Sequence, residues 1–80
     1  MGFRWSQEKS DKLKLIRGIS FEDILKAEFV GTTIHPTRRN QTILFFRIED
    51  YIWAVPCVVE GEHVFLKTLF PSRKHTKLWR

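Results

Sequence analysis

Three runs of β-branched and aromatic residues, at 42–48, 51–59 and 63–70, follow one another with almost no chain between them. Glu49-Asp50 separates the first two, and Glu60-Gly61 leads into the third. Runs this close can be joined only as antiparallel hairpins, because a parallel crossover needs about a dozen residues or more. If Glu49-Asp50 is a two-residue turn, Ile48 lies opposite Tyr51 and Arg47 opposite Ile52. A second two-residue turn is expected to set Ala54 opposite Lys67 and Ile52 opposite Leu69.

Alternation of side chains then sorts the sheet into two faces. One carries Ile43, Phe45, Arg47, Ile52, Ala54, Phe65, Lys67 and Leu69. The other carries Leu44, Phe46, Ile48, Tyr51, Trp53, Val55, Cys57, Val64, Leu66 and Phe70, and is apolar apart from Thr68. The apolar face is the one expected to lie under helices. Arg47 and Lys67 then fall on the open face as diagonal neighbours. Pro56 interrupts the middle strand, so a bulge is expected there, or an end to pairing on one side.

The N-terminal part supplies the helices. Ser6 can cap a first helix with Glu8 in its first turn, Leu13 and Ile16 recur at helical spacing, and Gly18 is a stop. Ser20 caps a second helix, Asp23 stands at the capping-box position, and Ile24 and Leu25 form its buried side. Residues 31–40 read as a loop around Pro36. After Pro71, the tail from Ser72 can form a short basic helix. The expected fold class is α+β: two N-terminal helices on one face of an antiparallel sheet of three or more strands, with a short C-terminal helix.

Eighty residues with 42% hydrophobic content are enough for one packed domain over 1–80. The lone Cys57 excludes an internal disulfide and a cysteine-based zinc site; it reads as a small buried apolar residue. The N-terminus shows no apolar stretch of the secretory kind, and no run approaches a membrane span, so a reduced, cytoplasmic setting without membrane contact is expected. Charge is unevenly spread. The net charge is +5, yet residues 29–48 and 63–80 contain no acid and carry most of the C-terminal cations. Two such blocks brought together would attract phosphate.

No glycine-rich phosphate loop, His-Glu-x-x-His motif or repeated Cys/His spacing is present, so no metal or other cofactor is expected. No nucleophile motif is present either. Cations beside a sheet remain, and these suffice for cutting RNA. The 2′-hydroxyl is the nucleophile, and Arg and Lys can stabilise the charge that develops on phosphorus.

Several stretches resemble a known family. Phe3-Arg4-Trp5-Ser6 looks like the Phe-x-Trp-Asp opening of the BrnT-like toxins. Gly18-Ile19-Ser20-Phe21-Glu22-Asp23-Ile24 is similar to their Gly-[Val/Ile]-Ser-Phe-Glu-Glu-Ala junction. Residues 62–76 resemble the closing strand and its Ser-Ala-Arg-x-Ala-Thr segment. The resemblance implies a RelE-like toxin of a type II toxin–antitoxin system that cleaves RNA without a metal and is neutralised by a cognate antitoxin. Operator DNA would be met only through the toxin–antitoxin complex. By position, the catalytic candidates are Lys67, where the family has Arg, and Arg73. Ser6 stands in place of the family's Asp, and Arg17 where a His commonly precedes the Gly.

The RNA-contacting candidates are Arg47 by strand parity, Lys74 beside Arg73, and the loop cluster His35, Arg38 and Arg39. His75 reads as a surface side chain that could also donate a proton. Trp5 and Trp53 read as core rather than as stacking platforms. The bland reading of every cation is a solvated surface charge, and the alternative function is a non-catalytic RNA- or DNA-binding module with the same basic face.

Overall fold

The computed structural model describes residues 2–34 and 41–78. In chain order the elements are β1 (Gly2–Arg4), α1 (Gln7–Arg17), α2 (Phe21–Leu25), β2 (Glu28–Ile34), β3 (Gln41–Ile48), β4 (Tyr51–Glu60), β5 (His63–Leu66), β6 (Phe70–Pro71) and α3 (Arg73–Leu78). The strands form one sheet in the order β1-β5-β4-β3-β2, with β6 paired to β4 beyond the end of β5. All pairings are antiparallel except that of β1 with β5, so the sheet is mixed. No helix among the described residues is long and apolar enough to cross a membrane.

The two helix starts are built by the side chains expected. Ser6 Oγ accepts from the Lys9 N–H at 3.3 Å, and Gly18 closes α1 in the left-handed region at φ 80°. Ser20 and Asp23 form a reciprocal capping box on α2. The two helices are locked together through Ser10, which is fully buried. Its hydroxyl donates to the Glu22 carboxylate and accepts from the Phe21 N–H at 3.0 Å. Lys14 pairs with Asp23 at 2.8 Å on the outer side of this junction.

These bonds carry a pH dependence. The Lys14 ammonium, with the Ser20 N–H and hydroxyl behind it, holds the Asp23 carboxyl down at about 2 against an ordinary 3.8. The hydroxyl of Ser10 and the amide of Gln7 likewise lower Glu22. A carboxyl depressed by folding contributes stability above its unfolded value and loses it as pH falls through the folded one. Stability is therefore expected to fall between about pH 4 and pH 2, and in Asp23→Asn this part of the acid limb should be shallower. Urea midpoints measured across that range check it; an unchanged slope would show that the pair does not survive in solution.

The main core lies between the helices and one sheet face. Leu13, Phe21 and Ile24 meet Phe46, Val55, Cys57, Val64, Leu66 and Leu69, with Trp5 and Trp53 against them. Ile16, expected to be buried with Leu13, is 71% exposed. It lies toward the flank of α1, so only Leu13 of that pair faces the sheet. Beyond Leu25 the helices leave part of this face open as an apolar hollow of about 480 Å³, walled by Phe3, Phe29, Leu44 and Phe46.

The first hairpin is as expected. Glu49 and Asp50 both take positive φ, 49° and 65°, in a two-residue turn that pairs Ile48 with Tyr51 and Arg47 with Ile52. The rest of the sheet departs from the simple alternation at three places. Residues 31–34, expected as loop, belong to β2, which pairs with β3 through a register shift between Phe29 and Gly31. The second turn is Gly61-Glu62, so Glu60 faces His63 and Pro56 stands opposite Lys67, not Ala54.

The third strand is broken between Leu66 and Phe70, and Phe70 then pairs with Ala54, a one-residue slip. Pro56 gives the reason. Its carbonyl accepts from the Lys67 N–H at 2.9 Å, but it has no N–H to return, so the ladder stops there. The slip exchanges two side chains between faces. Leu69 enters the main core at 0% exposure, and Phe70 turns to the other face at 37%.

Candidate nucleic-acid interface

The face opposite α1 and α2 is not open as expected. A second small core of Phe45, Ile52 and Ala54, flanked by Val30 and Ile43, lies there, and α3 comes down beside it. The helix is tied to β4 by backbone. Ser72 N–H donates to the Ile52 carbonyl at 2.8 Å, while Ile52 N–H donates to Thr76 Oγ1 at 2.9 Å. The Thr76 hydroxyl passes its own hydrogen to the Ser72 carbonyl at 2.7 Å. The first turn of α3 thus continues the ladder that β6 began, and that fixes where Arg73 and Lys74 leave the surface. Both are exposed at the start of α3.

Thr76 is 6% exposed, so its hydroxyl is the partner of a buried amide. Thr76→Val removes that oxygen at nearly constant volume and is expected to cost about 1–3 kcal/mol. Urea unfolding measures the loss, and Thr76→Ser should recover most of it. A neutral Thr76→Val would mean that water serves the Ile52 amide instead.

His75 is the residue that sequence reasoning misplaced. It is half-buried, its ring lying 4.2 Å from that of Phe45 at a 31° tilt. Its Nδ1 is 2.8 Å from Ser72 Oγ, which also accepts the His75 N–H. Burial, with Lys74 beside it, lowers the imidazole below its ordinary 6.5, so it is neutral at neutral pH. The Ser-x-x-His spacing, one helical turn, was the available signal.

Lys67 is exposed just past the end of β5, with Nζ 5.9 Å from the centroid of the Phe65 ring on the same face. Arg47 is not its diagonal neighbour. Arg47 pairs with Ile52 and Lys67 stands opposite Pro56, four residues further along β4 and on its other side, about 13 Å apart along the strand. The cause is the second turn, which lies one residue later than expected. Arg47 Nη1 instead bonds Glu28 of β2 at 3.1 Å, a partner hidden from sequence reasoning because nothing in the local sequence marks β2 as a strand. Arg4 of β1, paired with Phe65, joins Lys67 on this face. His35, Arg38 and Arg39 lie outside the described residues. Among the described residues, no three His, Cys, Asp or Glu side chains converge as a metal site.

No protein-family model matches the sequence, and no curated protein matches it. Among solved structures the chain is similar to the ribonuclease toxin BrnT of Brucella abortus, known from a crystal structure at 1.1 Å. The TM-score is 0.58 at 19% identity, and the match covers 90% of this chain and 96% of that one. The chain has a BrnT-like toxin fold, α+β with a mixed sheet and, among the described residues, three helices, of which the short C-terminal one lies over the second face.

Proposed function

From this fold we propose that the chain is the toxin of a type II toxin–antitoxin pair, an endoribonuclease that cleaves RNA without a metal ion. The observation that carries the reading is the likeness in fold to a ribonuclease toxin. The anchored C-terminal segment, which holds Arg73 and Lys74 exposed beside a sheet face bearing Lys67, agrees with it. The 2′-oxygen of the RNA attacks the adjacent phosphorus and gives up its proton. The bond from phosphorus to the 5′-oxygen breaks, and that oxygen takes a proton. The products are a 2′,3′-cyclic phosphate and a 5′-hydroxyl end.

Arg73 is assigned to the phosphorane oxygens, where a planar guanidinium can donate two parallel hydrogen bonds. Lys67 is assigned as a point charge. Its backbone anchor on Pro56 and that of Ser72 on Ile52 lie four residues apart on β4, so both side chains must reach toward each other to share one phosphate. Lys74, Arg47 and the cluster His35, Arg38 and Arg39 are assigned to flanking phosphates. His75, held neutral, suits accepting a proton better than donating one. The proposed partner is a small cytoplasmic antitoxin that covers the basic face, with operator DNA reached only through the complex.

The test is incubation of the purified chain with total cellular RNA, with and without a metal chelator. Cleavage that survives chelation, leaving cyclic-phosphate ends, is expected. Intact RNA from folded protein, both as naked RNA and in a translating extract, would overturn the enzyme and leave a non-catalytic nucleic-acid-binding module.

A further inference from the structure

The outer flank of α1 meets the broken stretch of chain after β5 in a cleft that the mechanism above does not use. Lys9, Lys12, Leu13, Ile16 and Arg17 line it from the helix and Thr68 from the linker, around a volume of about 310 Å³. Residues 9, 12, 13, 16 and 17 recur at the spacing of one helix face. Among the described residues, no acid lines the cleft. The acids of α1 are accounted for elsewhere: Asp11 accepts from Gln7 at 3.0 Å, and Glu8 sits in the first turn, where the helix dipole favours it. Lys14, the remaining cation of α1, is taken by Asp23. Among the described residues, Lys9, Lys12 and Arg17 make no ion pair.

Three unpaired cations on one helix face, with a hydroxyl opposite, make a site for a chain of anions. From Lys9 to Arg17 the helix rises about 12 Å. A strand stacked at about 3.4 Å per nucleotide covers that length with three or four phosphates. The apolar surface offered is Leu13, itself buried, and the exposed Ile16, against which one base or ribose can lie. That is too little for the apolar side of a protein helix; the hollow walled by Phe3, Phe29, Leu44 and Phe46 has that character instead. Thr68 directly follows Lys67 where the chain leaves the sheet: Thr68 lines the cleft, while the Lys67 ammonium lies by the Phe65 ring on the other face. A single strand crossing this linker passes from the Lys67 side into the cleft.

We propose that the cleft between α1 and the 67–69 linker binds the phosphate backbone of single-stranded RNA flanking the bond to be cut. This rests on the ribonuclease reading for its substrate, and its test is separable from that reading because it needs no cleavage. A fluorescein-labelled 2′-O-methyl oligoribonucleotide of 12 mixed nucleotides has no nucleophilic hydroxyl, so it reports binding alone. Its affinity is measured by anisotropy between 50 and 200 mM KCl for the intact chain and for Lys9→Gln/Lys12→Gln/Arg17→Gln. Loss of three phosphate contacts on a single strand is expected to flatten the slope of log affinity against log salt by about 2. The affinity of the intact chain should then fall about 16-fold more across this range than that of the variant.

Circular dichroism melting confirms that the variant, altered only at exposed helix positions, is folded. Lys14→Gln/Lys26→Gln removes charge outside the cleft and should flatten the slope less per charge. Equal slopes for the intact chain and the triple variant would overturn the proposal. So would an equal effect per charge in the control, or a failure of the intact chain to bind the oligonucleotide. If labelled poly-glutamate binds more tightly than the oligonucleotide and is lost in the triple variant, the cleft serves an acidic protein and the proposal falls. A flattened slope in a chain that cuts no RNA would leave the cleft standing and overturn only the ribonuclease.

Discussion

Arg73→Ala is expected to slow RNA cleavage by about 10²- to 10³-fold, the usual loss when one preorganised donor to a developing oxyanion is removed. The size of the effect follows from where Arg73 stands. It is exposed at the head of α3, in a segment held at Ser72, which is bonded to Ile52, and at His75, which is stacked on Phe45. Among the described residues the guanidinium has no ion pair or hydrogen bond to lose. The substitution should therefore change folding stability by no more than about 0.5 kcal/mol. Arg73→Lys should recover part of the rate, because it keeps the charge and loses the paired donors. Single-turnover cleavage of a short RNA, beside a thermal melt, separates the two effects. An Arg73→Ala chain that cuts at the full rate would move the site elsewhere on the surface.

Phe45→Ala is expected to damage the fold severely while leaving every charge in place. Phe45 is 1% exposed, sits with Ile52 and Ala54 in the smaller core, and carries the His75 ring at 4.2 Å. Removing a buried phenyl ring costs about 3–5 kcal/mol. A chain of this length holds only about 4–12 kcal/mol in all. The melting temperature should drop by at least about 12 °C, since 1 kcal/mol corresponds to about 4–8 °C at this size. Cleavage should fall as well, because α3 loses the ring on which His75 rests. A melt within a few degrees of the parent would show that α3 does not lie on Phe45.

Much of the sheet is legible in the sequence. The Glu49-Asp50 turn, the pairing of Ile48 with Tyr51 and the division of side chains between faces up to Leu66 all follow from a two-residue periodicity. The helix boundaries follow from Ser6, Gly18 and Ser20, which act on their own neighbours. Residues 31–34 are not legible, because Gly31-Thr32-Thr33 carries no alternation, and β3 alone recruits them as a strand. Neither is β1, whose three residues pair in parallel with a strand about sixty residues away. A single missing N–H at Pro56 then moves Leu69 inward and Phe70 outward, reversing two assignments that a simple alternation makes.

The candidate site divides along the same line. Which residues are cationic, and that Arg73 opens a short helix after Pro71, can be read from the chain itself. That Arg47 meets Glu28, that His75 is stacked and neutral, and that Lys9, Lys12 and Arg17 share a cleft with Thr68 cannot. By itself the sequence determined turns, caps, strand faces and the inventory of charge, since each depends on residues within a few positions of one another. Tertiary structure alone decided which face α3 covers, which cations are paired and which groups are desolvated, because those depend on contacts between residues far apart in the chain, and local periodicity carries no record of them.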